Sequence, residues 1–293
     1  MSGAPPLLIV GHGTRDPAGA AEFHQFIERV RKHASGALPA VEGGFIELAE
    51  PPLSEVVPRL IAAGGTEVVA LPLVLTAAGH GKGDIPASLA REQVRHPGLR
   101  YHYGRPLGPH PVLLDLLEAR IAAALGGRPR PGTHVVLTGR GSTDPDANAE
   151  VAKVGRLLWE GRGYDEVHLS FISLAAPSVP AALDRARRLG AARIVVAPYF
   201  LFTGVLPDRV ADQARAFASQ HPETDVRVAG LIGDCDELAG LVLDRYAEAH
   251  QGDIRMNCDT CAYRVTLPGF ADKVGRAQTP HHHPHDPAPH QHP

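Results

Sequence analysis

Hydrophobic residues along this chain fall into short unbroken runs, separated by longer stretches in which they recur every three or four positions. The runs are rich in β-branched residues and lack apolar–polar alternation, so they predict parallel strands buried on both faces. In the first half the candidate strands are Leu7 to Val10, Val41 to Ile46, Glu67 to Leu73 and Arg100 to Tyr103. The periodic segments predict helices over Ala18 to Lys32, Pro52 to Ala63, Ile85 to Arg95 and Val112 to Leu125, the first opened by Asp16-Pro17. Strands alternating with helices build a doubly wound α/β sheet, which binds ligands in the loops beyond the carboxyl ends of its strands.

The pattern then repeats. LLIVGHGTRD (Leu7 to Asp16) aligns with VVLTGRGSTD (Val135 to Asp144), FIELAEP (Phe45 to Pro51) with FISLAAP (Phe171 to Pro177), and GGTEVVALPLVL (Gly64 to Leu75) with GAARIVVAPYFL (Gly190 to Leu201). HPGLRYHYG, ending at Gly104, answers HPETDVRVAG, ending at Gly230, with one residue inserted. A period of about 126 residues is the size of a domain, not of a solenoid unit. The expectation is two similar α/β domains, 1–126 and 133–250, each a mostly four-stranded parallel sheet with helices on both faces. They are joined by the Pro/Gly linker GGRPRPG and followed by an extension, 251–293, with a flexible end.

Composition narrows the function classes. The 293 residues are 44% hydrophobic and 21% charged, enough for a substantial core. A formal charge of −3 gives no drive toward nucleic acid or an anionic membrane, and 5% aromatics disfavour base-stacking platforms. The longest apolar stretch, Val68 to Gly79, contains Pro72 and is too short to span a bilayer. The N-terminus lacks the features of a secretory signal, so a cytoplasmic location is expected. Three cysteines (Cys235, Cys258, Cys261) make no closed disulfide framework. The 17 histidines are unusual, and six of them lie in the closing HHHPHDPAPHQHP.

The chemistry emerges from comparing the two copies. Gly11-His12-Gly13-Thr14-Arg15-Asp16 lacks the third glycine of a dinucleotide fingerprint, and Gly11 stands where a histidine phosphatase needs arginine. On its own, His12 reads as the filler of a tight turn. The second copy keeps the turn glycines and changes the polar group: His12 becomes Arg140, Glu47 becomes Ser173, and His80 becomes Leu206. Turn geometry and packing are needed in both copies, so a set present in one alone points to chemistry that one half performs. Each member lies at or just past the carboxyl end of a different strand, where a parallel sheet brings them to one rim. Two imidazoles and a carboxylate suit cobalt, iron, nickel or zinc with coordination positions left open, and a neutral histidine also accepts a proton near pH 7. The glycine-rich loop TAAGHGKGDIP (Thr76 to Pro86) allows close approach to a bulky ligand. Arg15, Lys82, Arg105 and Arg140 are candidate partners for ligand carboxylates, with solvated surface charge the alternative for each. Thr14, Ser142 and Thr143 are candidate donors or helix caps.

GHGTRD, FIELAEPPL and PLVLTAAGHGKGDIP, in that order and spacing, resemble the sirohydrochlorin chelatases, the class II tetrapyrrole chelatases, over roughly residues 5 to 250. The resemblance implies a pair of chelatase-type, flavodoxin-like domains and insertion of cobalt or ferrous iron into sirohydrochlorin during cobalamin or siroheme synthesis. It makes His12 the metal ligand and proton acceptor, His80 the second ligand and Glu47 the acidic partner, with a silent second half closing the cleft. The substrate-binding residues expected with them are Thr14, Glu47, Leu75, Thr76, Ala77, Ala78, Gly79 and Arg140. No organic cofactor is needed, and oligomeric state is left open, a homodimer included.

MNCDTC (Met256 to Cys261) matches an MxCxxC element of long members that is associated with an iron-sulfur cluster. Cys258 and Cys261 supply two thiolates where a cluster usually takes four, so an accessory metal site is the alternative. Cys235 reads as structural. The histidine tail and the cysteine pair also suit a metal chaperone or storage protein without chelatase activity, the competing function.

Overall fold

The computed structural model describes residues 4–63, 65–252, 260 and 265–274. Strands β1 (Leu7–Gly11), β2 (Val41–Phe45), β3 (Glu67–Pro72) and β4 (Arg100–Tyr103) form one parallel sheet in the order β2-β1-β3-β4. Strands β5 (Thr133–Gly139), β6 (Glu166–Phe171), β7 (Arg193–Pro198) and β8 (Asp225–Val228) form a second in the equivalent order β6-β5-β7-β8. The helices are α1 (Pro17–His33), α2 (Leu53–Ala62), α3 (Ile85–Arg95), α4 (Pro111–Leu125), α5 (Pro145–Trp159), α6 (Val179–Arg188), α7 (Val205–Gln220) and α8 (Asp236–Gln251). The fold is two α/β domains, each built on a four-stranded parallel sheet flanked by helices. In the first half each observed element lies within two residues of its sequence expectation at either end.

Local chemistry explains the element starts. The aspartate that closes both aligned turns is an N-cap: Asp16 accepts from the Ala18 amide and Asp144 from that of Asp146, each at 3.0 Å, with proline at the first helical position. Every residue of β1 and β5 is buried, as expected of central strands covered on both faces.

Three hydrophobic clusters fill the molecule. One lies under α2 and α3 on the outer face of the first sheet, and another under α6 and α7 on the outer face of the second. The third is continuous across both halves, running from Leu7, Phe26 and Leu117 to Val135, Leu158 and Val242. Its continuity reflects an exchange that sequence periodicity does not reveal. Helix α4 packs on β7, β8 and α5 of the second half, and α8 packs on α1, β3 and β4 of the first. Buried polar contacts fix both placements. Glu118 of α4 pairs with buried Arg162 at 2.8 Å, and the buried Arg245 of α8 donates to the carbonyls of Pro106 (3.1 Å) and Leu107 (2.8 Å). The Tyr246 hydroxyl donates to Pro5 O at 2.7 Å. Part of the extension is described: Leu267 is buried, and the Pro268–Gly269 backbone lies against Gly161. Cys258, Cys261 and the histidine tail lie outside the described residues. Among the described residues no helix is long and apolar enough to cross a membrane.

Candidate active site

The carboxyl ends of the two sheets face one another across a cleft that holds a cavity of about 460 Å³, a typical size for a small-molecule site. Because β1 lies between β2 and β3, the turn after β1 and the loops after its two neighbours meet at one place on the rim. The turn is stitched to both. Ile46 and Glu47 donate backbone bonds to Gly11 O and His12 O (3.1 Å each), and Leu73 donates to Val10 O at 2.8 Å. Gly13 makes the first stitch feasible: its φ is +108°, and a Cβ there would sit 1.7 Å from Glu47 O. The same stitches recur in the second half, from Ile172 to Gly139 O (3.0 Å), Ser173 to Arg140 O (3.0 Å) and Tyr199 to Thr138 O (2.8 Å). There Gly141, φ +86°, would place a Cβ 1.9 Å from Ser173 O.

On this shared backbone His12 and Glu47 form the chemical pair. His12 Nδ1 lies 3.0 Å from Gly13 O, an atom that only accepts, so Nδ1 carries the proton of that bond. Nε2 lies 2.9 Å from Glu47 Oε1. An imidazole nitrogen and a carboxylate oxygen at this separation can share a proton or flank a metal ion. The His12 side chain, 26% exposed, lines the cavity, and that of Glu47, 54% exposed, lies against it.

The loop after β3 supplies the third position. After Leu75 and Thr76 the backbone reaches Gly79, then enters a π-helical turn, His80–Asp84, that runs directly into α3. Single π turns are frequent at functional sites, because the extra residue redirects side chains. Gly79, Gly81 and Asp84 line the cavity on either side of the His80 backbone, and the Tyr103 hydroxyl ties the turn from behind by donating to Gly81 O at 2.7 Å.

The second half presses on this loop. The half-buried Glu150 of α5 accepts the Ala77 amide at 2.9 Å, and burial holds its carboxyl above the ordinary glutamate range. Glu22 of α1 does the reciprocal, accepting the Thr203 amide from the loop after β7 at 2.8 Å. Lys82 reaches Asp144 (2.7 Å) and Asp146 (3.2 Å) across the same gap.

Residues 6–124 and 134–249 both match the CbiX family. The chain belongs to the CbiX family. It is 37% identical over 263 residues to the sirohydrochlorin cobaltochelatase of Priestia megaterium, covering 89% of this chain and 85% of that protein. It is 30% identical over 242 residues to the sirohydrochlorin ferrochelatase of Bacillus subtilis (83% and 90% coverage). A solved structure of SirB from Bacillus subtilis with Fe3+ superposes with a TM-score of 0.76 at 28% identity, covering 85% of this chain and 96% of that one.

Within this CbiX chain the structure brings His12, Thr14, Leu75, Thr76, Ala78, Gly79 and Arg140 to the cavity wall, with Glu47 against His12. Ala77 is placed differently. Neither it nor Glu47 is among the lining residues, and the Ala77 amide is spent on Glu150. Two of the cations considered as carboxylate partners are otherwise engaged, Lys82 with the two aspartates and Arg105 with Glu248 at 2.9 and 3.0 Å. Thr14 and Ser142 accept from the Asp16 and Asp144 amides at 3.0 Å, which leaves each hydroxyl its own proton to donate. The sequence reading missed much of the cavity wall: Phe23 and Phe45 from the first half, and Asn148, Leu174, Tyr199 and Phe202 from the second. Leu174 is 63% exposed with φ +61°, and Leu48, its counterpart beside Glu47, is 47% exposed with φ +66°. The signal the sequence itself held was the leucine kept at this place in both copies, FIEL and FISL.

Proposed function

We propose that this CbiX chain inserts a divalent ion, cobalt or ferrous iron, into sirohydrochlorin with release of two protons, and that His12, Glu47 and His80 carry the reaction. On this reading residues 1–126 form the catalytic half, 133–250 a half that has lost the reacting groups, and 251–293 an accessory extension. The observation that carries the assignment is His12 Nε2, on the wall of a two-walled cavity, set 2.9 Å from the Glu47 carboxylate. The metal is a substrate, so its ligands must grip and release it; two imidazoles and one carboxylate leave coordination positions open for transfer.

The chain's own groups divide the work. Glu47 and the histidines replace water around the incoming ion; as the ion passes to the ring, His12 Nε2, freed from it and oriented by its Nδ1 contact with Gly13 O, takes one pyrrole proton, and the second leaves to water in the open cleft. Glu47 stabilises the imidazolium that results. Phe23, Phe45 and Leu174 offer apolar contact to a flat macrocycle. Arg140 is exposed on the opposite wall with no ion-pair partner among the described residues, which suits it to a substrate carboxylate. Glu150 acts at one remove by holding the loop that leads to His80.

The test is to follow the absorbance of sirohydrochlorin with cobalt or ferrous iron under anaerobic conditions. Insertion lost in His12→Ala and His80→Ala and retained after deletion of the histidine tail is the expected result. A chaperone or storage protein gives the reverse, tolerating the rim substitutions and failing without the tail.

A further inference from the structure

The cleft uses the carboxyl ends of the strands. The opposite end of the second sheet carries a polar group that the chelatase reading does not employ. β5 and β6 pair in the register His134↔Glu166 and Val136↔His168. Cross-strand partners share a face, as do residues two apart along a strand, so His134, His168 and Glu166 project on one side. That side bears the cluster under α6 and α7, and both rings are buried there, 6% exposed for His134 and 5% for His168.

The geometry is that of a ligand set. His134 Nδ1 lies 2.9 Å from His168 Nε2, with the rings stacked at 5.2 Å and 20°. His168 Nδ1 lies 3.8 Å from Glu166 Oε1. One donor atom from each residue can be chosen so that all three lie within 4.8 Å of one another. Burial lowers the pKa of His168, favouring the neutral ring that binds metals. Two neutral imidazoles at hydrogen-bond distance share one proton, and a divalent ion can take that proton's place. With metal–nitrogen bonds of about 2.0–2.1 Å, tetrahedral ligation needs the two nitrogens about 3.3 Å apart, a small opening of the pair. Glu166 is only partly buried, which leaves a side for water and for ion entry. Arg185 on α6 acts on His168 against a bound cation, and Glu166 acts for one.

The set is peculiar to this half. In the aligned first copy Pro6 stands opposite His134 and Glu42 opposite His168, with Glu42 taken up by Arg31 and Arg59. We propose that His134, His168 and Glu166 form a second cation site, distinct from the cleft, for a borderline divalent ion of the zinc, nickel, cobalt or ferrous class, which fastens the edge strand β6 to β5.

The decisive measurement is anomalous diffraction at the cobalt and zinc edges from crystals of the full chain soaked in either ion. The expected result is a peak within bonding distance of both His134 and His168. Equilibrium dialysis of the full chain against zinc should in parallel show about one ion per chain fewer in His134→Phe and His168→Phe, and weaker binding in Glu166→Gln, with sirohydrochlorin metallation unchanged. Crystals that show an ion at His12 and none between His134 and His168 overturn the proposal, whatever the fold of the variants. An unchanged ion count in folded His168→Phe overturns it equally. Loss of cleft activity with this peak intact would instead count against the chelatase assignment alone.

Discussion

The turn after β1 and the turn after β5 share their main chain down to individual hydrogen bonds and part company at the side chains. Gly13 and Gly141 both let the turn press against the neighbouring carbonyl, and Asp16 and Asp144 both cap the next helix. His12 and Glu47 stand in one copy, Arg140 and Ser173 in the other. The difference teaches that scaffold and side-chain chemistry are separable here: both halves keep the glycines and caps that the turn requires, and on the proposed reading the groups kept by one half alone serve the reaction.

The sharpest way to break this comparison is to remove the imidazoles. His12→Ala and His80→Ala are each expected to lower kcat/KM for metal insertion by about a thousandfold, whereas Arg140→Ala raises KM by about tenfold with kcat preserved, as steady-state absorbance kinetics would show. Equal losses from Arg140→Ala and His12→Ala would mean that both halves catalyse. Next in size are the glycines. Gly13→Ala and Gly141→Ala should each cost about 2–4 kcal/mol in denaturant unfolding, since both force a left-handed backbone and a carbonyl clash. Among variants still folded, Gly13→Ala alone should abolish turnover by displacing His12 from Glu47.

The reciprocal glutamates sharpen the contrast further. Glu150→Ala strands a part-buried amide at Ala77, worth about 1–3 kcal/mol, and should slow insertion about tenfold because the loop to His80 loosens. Glu22→Ala removes the more exposed mate at Thr203 and is expected to cost less than about 1 kcal/mol, with little effect on rate. Burial raises the folded-state pKa of Glu150 above its ordinary 4.5. Its linked contribution to stability is therefore full below that value and is lost as pH rises through the folded pKa. Urea unfolding of Glu150→Gln across this window should give a flatter pH profile than the parent. The smallest effect belongs to Lys82→Ala. Its partners are Asp144 and the exposed Asp146, and less than about twofold in rate is expected at physiological salt.

The strands and first-half helices were legible because uninterrupted β-branched runs and 3.6-residue periodicity report burial directly. His12, Glu47 and His80 stood out as candidates because an internal copy supplied the control that a single sequence normally lacks, and the structure sets Glu47 against His12. Other features depended on which surface faces which. Periodicity shows that α4 has an apolar side but not that it covers the second sheet, so the exchange of α4 with α8 stayed hidden. Tyr199, Phe202 and Leu174 reach the cavity only once the two rims are opposed. Lys82 and Arg105 could not be told from ligand-binding cations until Asp144, Asp146 and Glu248 were placed beside them. Glu22 and Glu150 did leave a trace, an Ala-Glu pair at matching positions of the two copies.

The crossed placement of α4 and α8 makes each lobe the lid of its sibling. Separate lobes would have to meet in solution, and dilution would undo them; on one polypeptide the sibling is always present at a concentration the linker sets. Tethering also frees the lobes to diverge. In a pair of identical subunits every replacement is imposed twice, whereas a tandem chain can surrender its imidazole on one side and spend that side on shape.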